Sequence, residues 1–366
     1  MPKLLSLFLS FILTLGLVSC SGTQPATNPP AAKTPLVVFA AGSLIIPFGD
    51  LEKAFEARYP NIDVQVEYHG SIQVIRQATE LHVPIDVVAT ADASLIPMLM
   101  YAMTNPDTGQ PYANWYLRFA SNHLAVAYQP NSKYVAEINA ENWPEILARP
   151  DVRVGIADPR FDASGYRALM VFALEEEREK RYDLYAPMFD NQFTSPVTIF
   201  RDDNLTTITV PEVLETRSNA HIVLRGASVQ LLALLESGDL DYAFEYESVI
   251  QQHKLQMLRL PDEVNLGEPA FADFYKKVQV NLDFQRFATL KPKFRGEQIE
   301  YGITVPNSAP HPEEAALFIA FLLGPQGREI MSKQYHPMFE TALADGYDHV
   351  PAILRSLSVA GAVIDP

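Results

Sequence analysis

Three short runs of small residues stand where an apolar, strand-like segment hands over to a helix-like one: Ala41-Gly42-Ser43, His69-Gly70-Ser71 and Ala163-Ser164-Gly165. At such a handover the first N–H groups of the helix lack partners within it, and its positive dipole end faces outward. Glycine lets the backbone approach a ligand closely, and serine adds a hydroxyl. Several such turns pointing into one cleft make an anion site without any Lys or Arg. Singly, Ser43, Ser71 and Ser164 read more simply as helix caps. Two carboxylates stand close to this pattern. Asp162 directly precedes the third turn and by itself also reads as a cap. Glu245 interrupts the apolar run Tyr242-Ala-Phe-Glu-Tyr246, where a buried carboxylate needs a partner unless it faces outward at a sheet edge.

The elements that must position these residues alternate strand and helix. Leu36–Ala40, Ile62–Tyr68 and Ile85–Ala89 read as strands, each followed by a helix: Pro47–Tyr59, Ile72–Leu81 and Ser94–Met103. A second series includes Leu124–Tyr128, Val152–Ala157, a helix from Asp162 to about Glu179, a helix Val229–Leu235 ended by Gly238, and a strand Asp241–Tyr246. Tyr301–Val305 is a further strand, and Glu313–Leu323 a closing helix with Gly324-Pro-Gln-Gly327 as its stop signal. This grammar belongs to α/β folds with mostly parallel sheets, whose ligands bind at the carboxyl ends of the strands. About 330 residues follow the first strand, enough for two lobes.

The amino end carries a different message. A positive start, Met1–Lys3, precedes an uncharged apolar run from Leu4 to Val18, too short to span a bilayer as a helix and typical of a secretory signal. Leu17-Val-Ser-Cys20 resembles a bacterial lipobox, which implies cleavage before Cys20 and its acylation. The plain alternative is a signal peptide with an incidental cysteine. Ser21–Pro35 has no large apolar residue and reads as a flexible leash. Cys20 is the only cysteine, so neither a disulfide nor a thiolate metal site is expected in the body. The formal charge of −16 argues against a nucleic-acid partner.

The segments Phe39–Leu44, Gly70-Ser71 with Thr79–Leu81, Asp86–Asp92, Gly165–Leu174, Leu232–Tyr246, Ile299–Pro306 and Ala309–Glu313 together resemble the tungstate/molybdate-binding proteins of ABC importers, in the same order and spacing. The resemblance is nearest to the group whose site includes two carboxylates, and it runs from about residue 36 to 331. It implies a type II periplasmic-binding-protein fold with two lobes joined by two crossover strands. Lobe 1 would take residues 36–120 and 306–345, and lobe 2 residues 121–305, with crossings near Leu124–Tyr128 and Tyr301–Val305. Residues 1–19 would be the signal peptide, 20–35 the lipidated tether and 346–366 a C-terminal extension. The resemblance further implies a monomer without cofactor that delivers its oxyanion to a membrane permease and ATPase, held outside the cytoplasmic membrane by lipid at Cys20.

Carried over residue by residue, the resemblance assigns Ser43 and Ser71 as donors to the oxyanion. It assigns Asp162 and Glu245 as the two carboxylates that complete the coordination of tungsten or molybdenum. Ser164, Val229 and Tyr246 are additional candidate contacts. One departure is visible: Ala163-Ser164 stands where the family often has Pro-Cys. Carboxylates beside a dianion repel unless they are protonated donors or bond directly to the central atom. Tungsten and molybdenum can expand from four to six oxygen ligands, which sulfur and phosphorus do not readily do, so the pair would also reject sulfate.

The rival ligands on the same fold are sulfate, phosphate, a ferric ion, for which Tyr242 and Tyr246 offer weak support, and an organic anion. A rival of another class is an anchored hydrolase using Asp162 and Glu245 as an acid/base pair. No HExxH or GxSxG motif supports catalysis. Met98, Met100 and Met103 read as core filler, and Glu175–Arg181 as a solvated helix face.

Overall fold

The computed structural model describes residues 32–283 and 292–361. The apolar leader, Cys20 and most of the leash lie outside the described residues. An unbroken apolar run suits a strand covered on both faces. Accordingly β1 (Thr34–Ala41), buried at Leu36 and from Val38 to Ala41, lies between β2 (Ile62–His69) and β3 (Val87–Thr90), parallel to both. The connecting helices, Ile45–Arg58 and Ser71–Thr79, begin at the first two small-residue turns. β4 (Tyr116–Ser121), β14 (Glu300–Thr304), β15 (Met338–Asp345) and β16 (Ser358–Ala360) complete a seven-stranded sheet in the order β16-β15-β4-β14-β3-β1-β2.

A second half of the molecule is built on β5 (Leu124–Tyr128), β6 (Val154–Ala157), β9 (Ile222–Arg225), β10 (Tyr242–Tyr246) and β11 (Gln256–Arg259), ordered β11-β5-β10-β6-β9. Beside it stands a four-stranded sheet of β7 (Thr198–Arg201), β8 (Thr206–Pro211), β12 (Val278–Asp283) and β13 (Lys293–Arg295). The sequence reading did not anticipate this sheet, although β8 alternates buried and half-buried residues along its length. Helix Ala163–Glu179 packs against both sheets of this half. From Lys33 onward the described chain is one compact unit.

The sheets are mixed rather than mostly parallel. Strands built from strand–helix units run parallel, whereas β14 pairs antiparallel with β3 and β4, and β5 pairs antiparallel with β10 and β11. The chain leaves the seven-stranded sheet after Ser121 and re-enters it at Glu300, so Tyr301–Thr304 is an inner strand of that sheet. Where the two passing segments meet, Asn122 N–H donates to the Ile299 carbonyl at 3.3 Å. Beyond β15 the chain turns back and adds β16 in parallel to the sheet edge.

Two local expectations change. Gly324-Pro-Gln-Gly327 is the corner at which helix Pro312–Leu323 gives way to helix Pro325–Lys333. Glu175 and Glu176 are buried, so Glu175–Arg181 is not simply a solvated face. Glu175 holds Arg178 at 2.7 Å, while Glu176 accepts the Leu184 and Tyr185 N–H groups and pairs with Arg201.

Candidate functional site

From the seven-stranded half come Ser43 and Ser71, both buried at the carboxyl ends of β1 and β2. Neither hydroxyl caps its own helix. Ser43 Oγ accepts from the Tyr301 hydroxyl at 2.9 Å, and Ser71 Oγ accepts from the Ala91 N–H at 3.0 Å. Each keeps its own hydroxyl proton for donation. The expectation that the glycines admit a ligand needs correction. A Cβ on Gly70 would collide with the Phe161 carbonyl oxygen and stand 3.0 Å from the Cβ of Asp162. On Gly42 it would stand 3.1 Å from a methyl of Val229. What these two glycines admit is the other half of the protein.

From that other half, Asp162 is the N-cap of helix Ala163–Glu179, and its Oδ1 accepts from Ser164 N–H at 2.9 Å and Ser164 Oγ at 3.0 Å. Its Oδ2 accepts from Ser228 N–H at 3.2 Å. Asp162 is thus a helix cap through one oxygen, and its other oxygen meets the turn at Ser228. Glu245 lies on β10, an inner strand, so the sheet-edge alternative fails. Its Oε1 accepts from Ser228 Oγ at 3.0 Å and Tyr246 N–H at 2.8 Å. Its Oε2 is buried without a hydrogen-bond partner. Burial pushes the Glu245 carboxyl up to about 8, and the nearby charge of Asp162 adds to the shift. Burial also raises Asp162, opposed by its bonds from Ser164 and Ser228 and by Arg167.

Ser228 is the member the sequence reading missed: it joins the two carboxylates, giving its N–H to one and its hydroxyl to the other. The signal was present, because Gly226-Ala227-Ser228 is a fourth small-residue turn between β9 and helix Gln230–Ser237. Val229 is the N-cap residue of that helix, half-buried opposite Gly42. The Tyr246 hydroxyl accepts from Arg167 at 2.8 Å, and its ring centroid lies 6.3 Å from that of Tyr301, which carries the bond to Ser43. Ser43, Ser71, Ser164, Val229, Tyr246, Asp162 and Glu245 thus gather where the two halves meet. Tyr242 is not part of this group, its hydroxyl donating to the Lys133 carbonyl.

The family model for bacterial extracellular solute-binding proteins matches residues 36–335. The chain belongs to that family. Among relatives of this solute-binding protein, the molybdate/tungstate-binding protein WtpA of Thermococcus kodakarensis is 37% identical over 363 residues, covering 96% of each chain. The periplasmic molybdate-binding protein of Azotobacter vinelandii matches in structure at TM-score 0.50 and 14% identity, over 83% of this chain and all of that one. The sulfate-binding protein SubI of Mycobacterium tuberculosis matches at TM-score 0.53 and 13% identity, over 89% and 92%. These likenesses establish the two-lobed type II periplasmic-binding-protein fold. The solute-binding protein is a carrier rather than an enzyme. No described helix is long and apolar enough to cross a membrane.

Proposed function

We propose that this solute-binding protein captures tungstate or molybdate between its two halves and delivers it to the permease and ATPase of an importer. The observation that carries this reading is the Asp162–Ser228–Glu245 group, in which a fully buried carboxylate leaves one oxygen without a partner. A buried polar atom without a partner costs free energy, and a ligand that takes it up recovers that cost. An oxyanion whose central atom accepts further oxygen ligands fits a carboxylate pair, whereas sulfate and phosphate, which do not expand their coordination, would meet repulsion wherever the pair is ionised. Ser43 and Ser71 would donate their free hydroxyl protons to the anion, with Ser164, Val229 and Tyr246 as further contacts. The name of the Thermococcus kodakarensis relative supports the same ligand class.

In this reading the lobes are those of the two sheet systems, and closure presents one shape to the permease. Export and acylation at Cys20 would hold the protein outside the cytoplasmic membrane as a monomeric carrier. The test is calorimetric titration of the protein beginning after Cys20 with tungstate, molybdate, sulfate and phosphate, beside Asp162→Ala and Glu245→Ala. Tight binding of the first two ions alone, lost in either variant, is expected. Equal binding of sulfate, or normal binding by both variants, would sink the carboxylate site.

A further inference from the structure

We infer that Arg167 is a positioning residue for capture: it latches the two halves together behind the site and holds Ser71 and Tyr246 in place, an inference that rests on the oxyanion reading above. Arg167 lies in the first turns of helix Ala163–Glu179 and is 2% exposed. Its Nη1 crosses to the other half and donates to the Ala91 carbonyl at 2.7 Å, while also donating to the Tyr246 hydroxyl at 2.8 Å. Its Nη2 stands 3.1 Å from Asp92 Oδ2, which also accepts from the Tyr166 hydroxyl. The other oxygen of Asp92 is held by its own half, accepting from Ser94 N–H at 3.0 Å and Ser94 Oγ at 2.6 Å. Asp92 is therefore fixed from one side and grasped from the other.

Two of the three partners of Arg167 each lead to one proposed ligand contact. Ala91, whose carbonyl it takes, gives its N–H to Ser71 Oγ. Tyr246, whose hydroxyl it takes, gives its N–H to Glu245 Oε1. One guanidinium thus connects a first-half serine with a second-half carboxylate through a single intervening residue on each side. A lysine has one charged point and cannot reproduce a planar guanidinium that bonds a carbonyl and a phenol through Nη1 while Nη2 faces a carboxylate as an ion pair without a hydrogen bond. The cation also balances charge where acids crowd: Asp92 faces it directly, and Glu297, held up to about 8 by burial and by Asp92, stands nearby. The other buried arginine among the described residues, Arg118, pairs with Glu300.

An ion pair that must come apart when the halves open belongs to a two-state element whose balance a ligand shifts. Arg167→Lys keeps the charge and loses the fork, and Tyr166→Phe removes one donor to Asp92 while sparing the ion pair. The measurements are stopped-flow association and dissociation of tungstate, small-angle scattering of the ligand-free proteins, and their melting temperatures. Arg167→Lys should release tungstate about tenfold faster with little change in association. Its ligand-free radius of gyration should rise, and its melting temperature should fall as well, because buried hydrogen bonds are lost with the guanidinium. Tyr166→Phe should move in the same direction by less. Unchanged dissociation and radius of gyration in Arg167→Lys would overturn the latch, and so would a change confined to the melting temperature. Failure of the wild type to bind tungstate would instead remove the oxyanion reading, and the ligand-free scattering would still decide whether Arg167 holds the halves together.

Discussion

The two halves bring opposite chemistry to their common boundary. The seven-stranded half offers neutral hydroxyls already oriented by protein donors, Tyr301 on Ser43 and Ala91 on Ser71. The other half offers two buried carboxylates joined through Ser228, one of them incompletely partnered. Hydroxyls facing an anion serve any tetrahedral oxyanion. Buried acids are costly beside any anion unless they keep their protons or the ligand itself completes them. On the proposed reading, the first half would bind and the second would choose. A fold shared with a sulfate-binding protein fits this division, since the fold alone leaves the choice open.

The division breaks most visibly at the acids. Glu245→Ala and Asp162→Ala should each lower tungstate affinity by at least about 100-fold, since truncating one member of a buried polar group costs several kcal/mol. The same variants should improve sulfate binding, or leave it as weak as before. Titration of both anions against both variants measures this directly. A parallel loss for the two anions would show that the carboxylates shape the site without choosing its ligand.

Gly70→Ala probes the contact between the halves. The added methyl would press on the Phe161 carbonyl, which accepts from Ile72 N–H at 3.1 Å and Gln73 N–H at 3.3 Å. Closure would then require a shift of backbone, and overpacking of this kind costs about 1–3 kcal/mol. Affinity should fall roughly tenfold for tungstate and molybdate alike, because ligand chemistry is untouched. Unaltered affinity would mean that capture does not need this approach. Ser43→Ala and Ser71→Ala remove one neutral donor each and should weaken binding about three- to tenfold, equally for each anion that binds. A serine variant that changed the ratio of tungstate to sulfate would blur the division between halves.

Much of this site was legible because its residues obey a local rule. Small residues at the strand–helix handovers led to Ser43, Ser71 and Ser164, and an acid inside an apolar strand led to Glu245. The same rule, applied to Gly226-Ala227-Ser228, would have found Ser228, which was passed over for its neighbour Val229. Arg167 and Tyr301 carry no such local mark. The Arg167 partner Ala91 lies 76 positions away, and the Tyr301 partner Ser43 lies 258 away. The role of Tyr301 exists only once β14 returns to the sheet of β1, and that of Arg167 only once the two halves fold against each other. The fold was read from its strand–helix units, which are local, whereas the antiparallel strands depend on the long returns of the chain. The four-stranded sheet escaped for a similar reason: β8 pairs in parallel with β12, some seventy residues further on, and periodicity reveals a strand but not its partner.

The smallest expected effect concerns the empty protein. Below pH 4.5, the ordinary value for this side chain, Glu245 holds its proton whether the chain is folded or unfolded. Between there and about 8, the unfolded chain releases a proton that the folded chain retains. The unfolded state then binds fewer protons, so stability falls as pH rises through that window and levels off above it. Glu245→Gln has no proton to release and should flatten this part of the profile. Melting temperatures of the ligand-free wild type and Glu245→Gln, compared at about pH 5 and 8, should diverge by several degrees. The wild type would lose more. Equal losses would place the ionised form of Glu245 in the empty site. The second half would then hold its charge without any ligand to complete it, and the contrast with the hydroxyl-lined half would rest on repulsion alone.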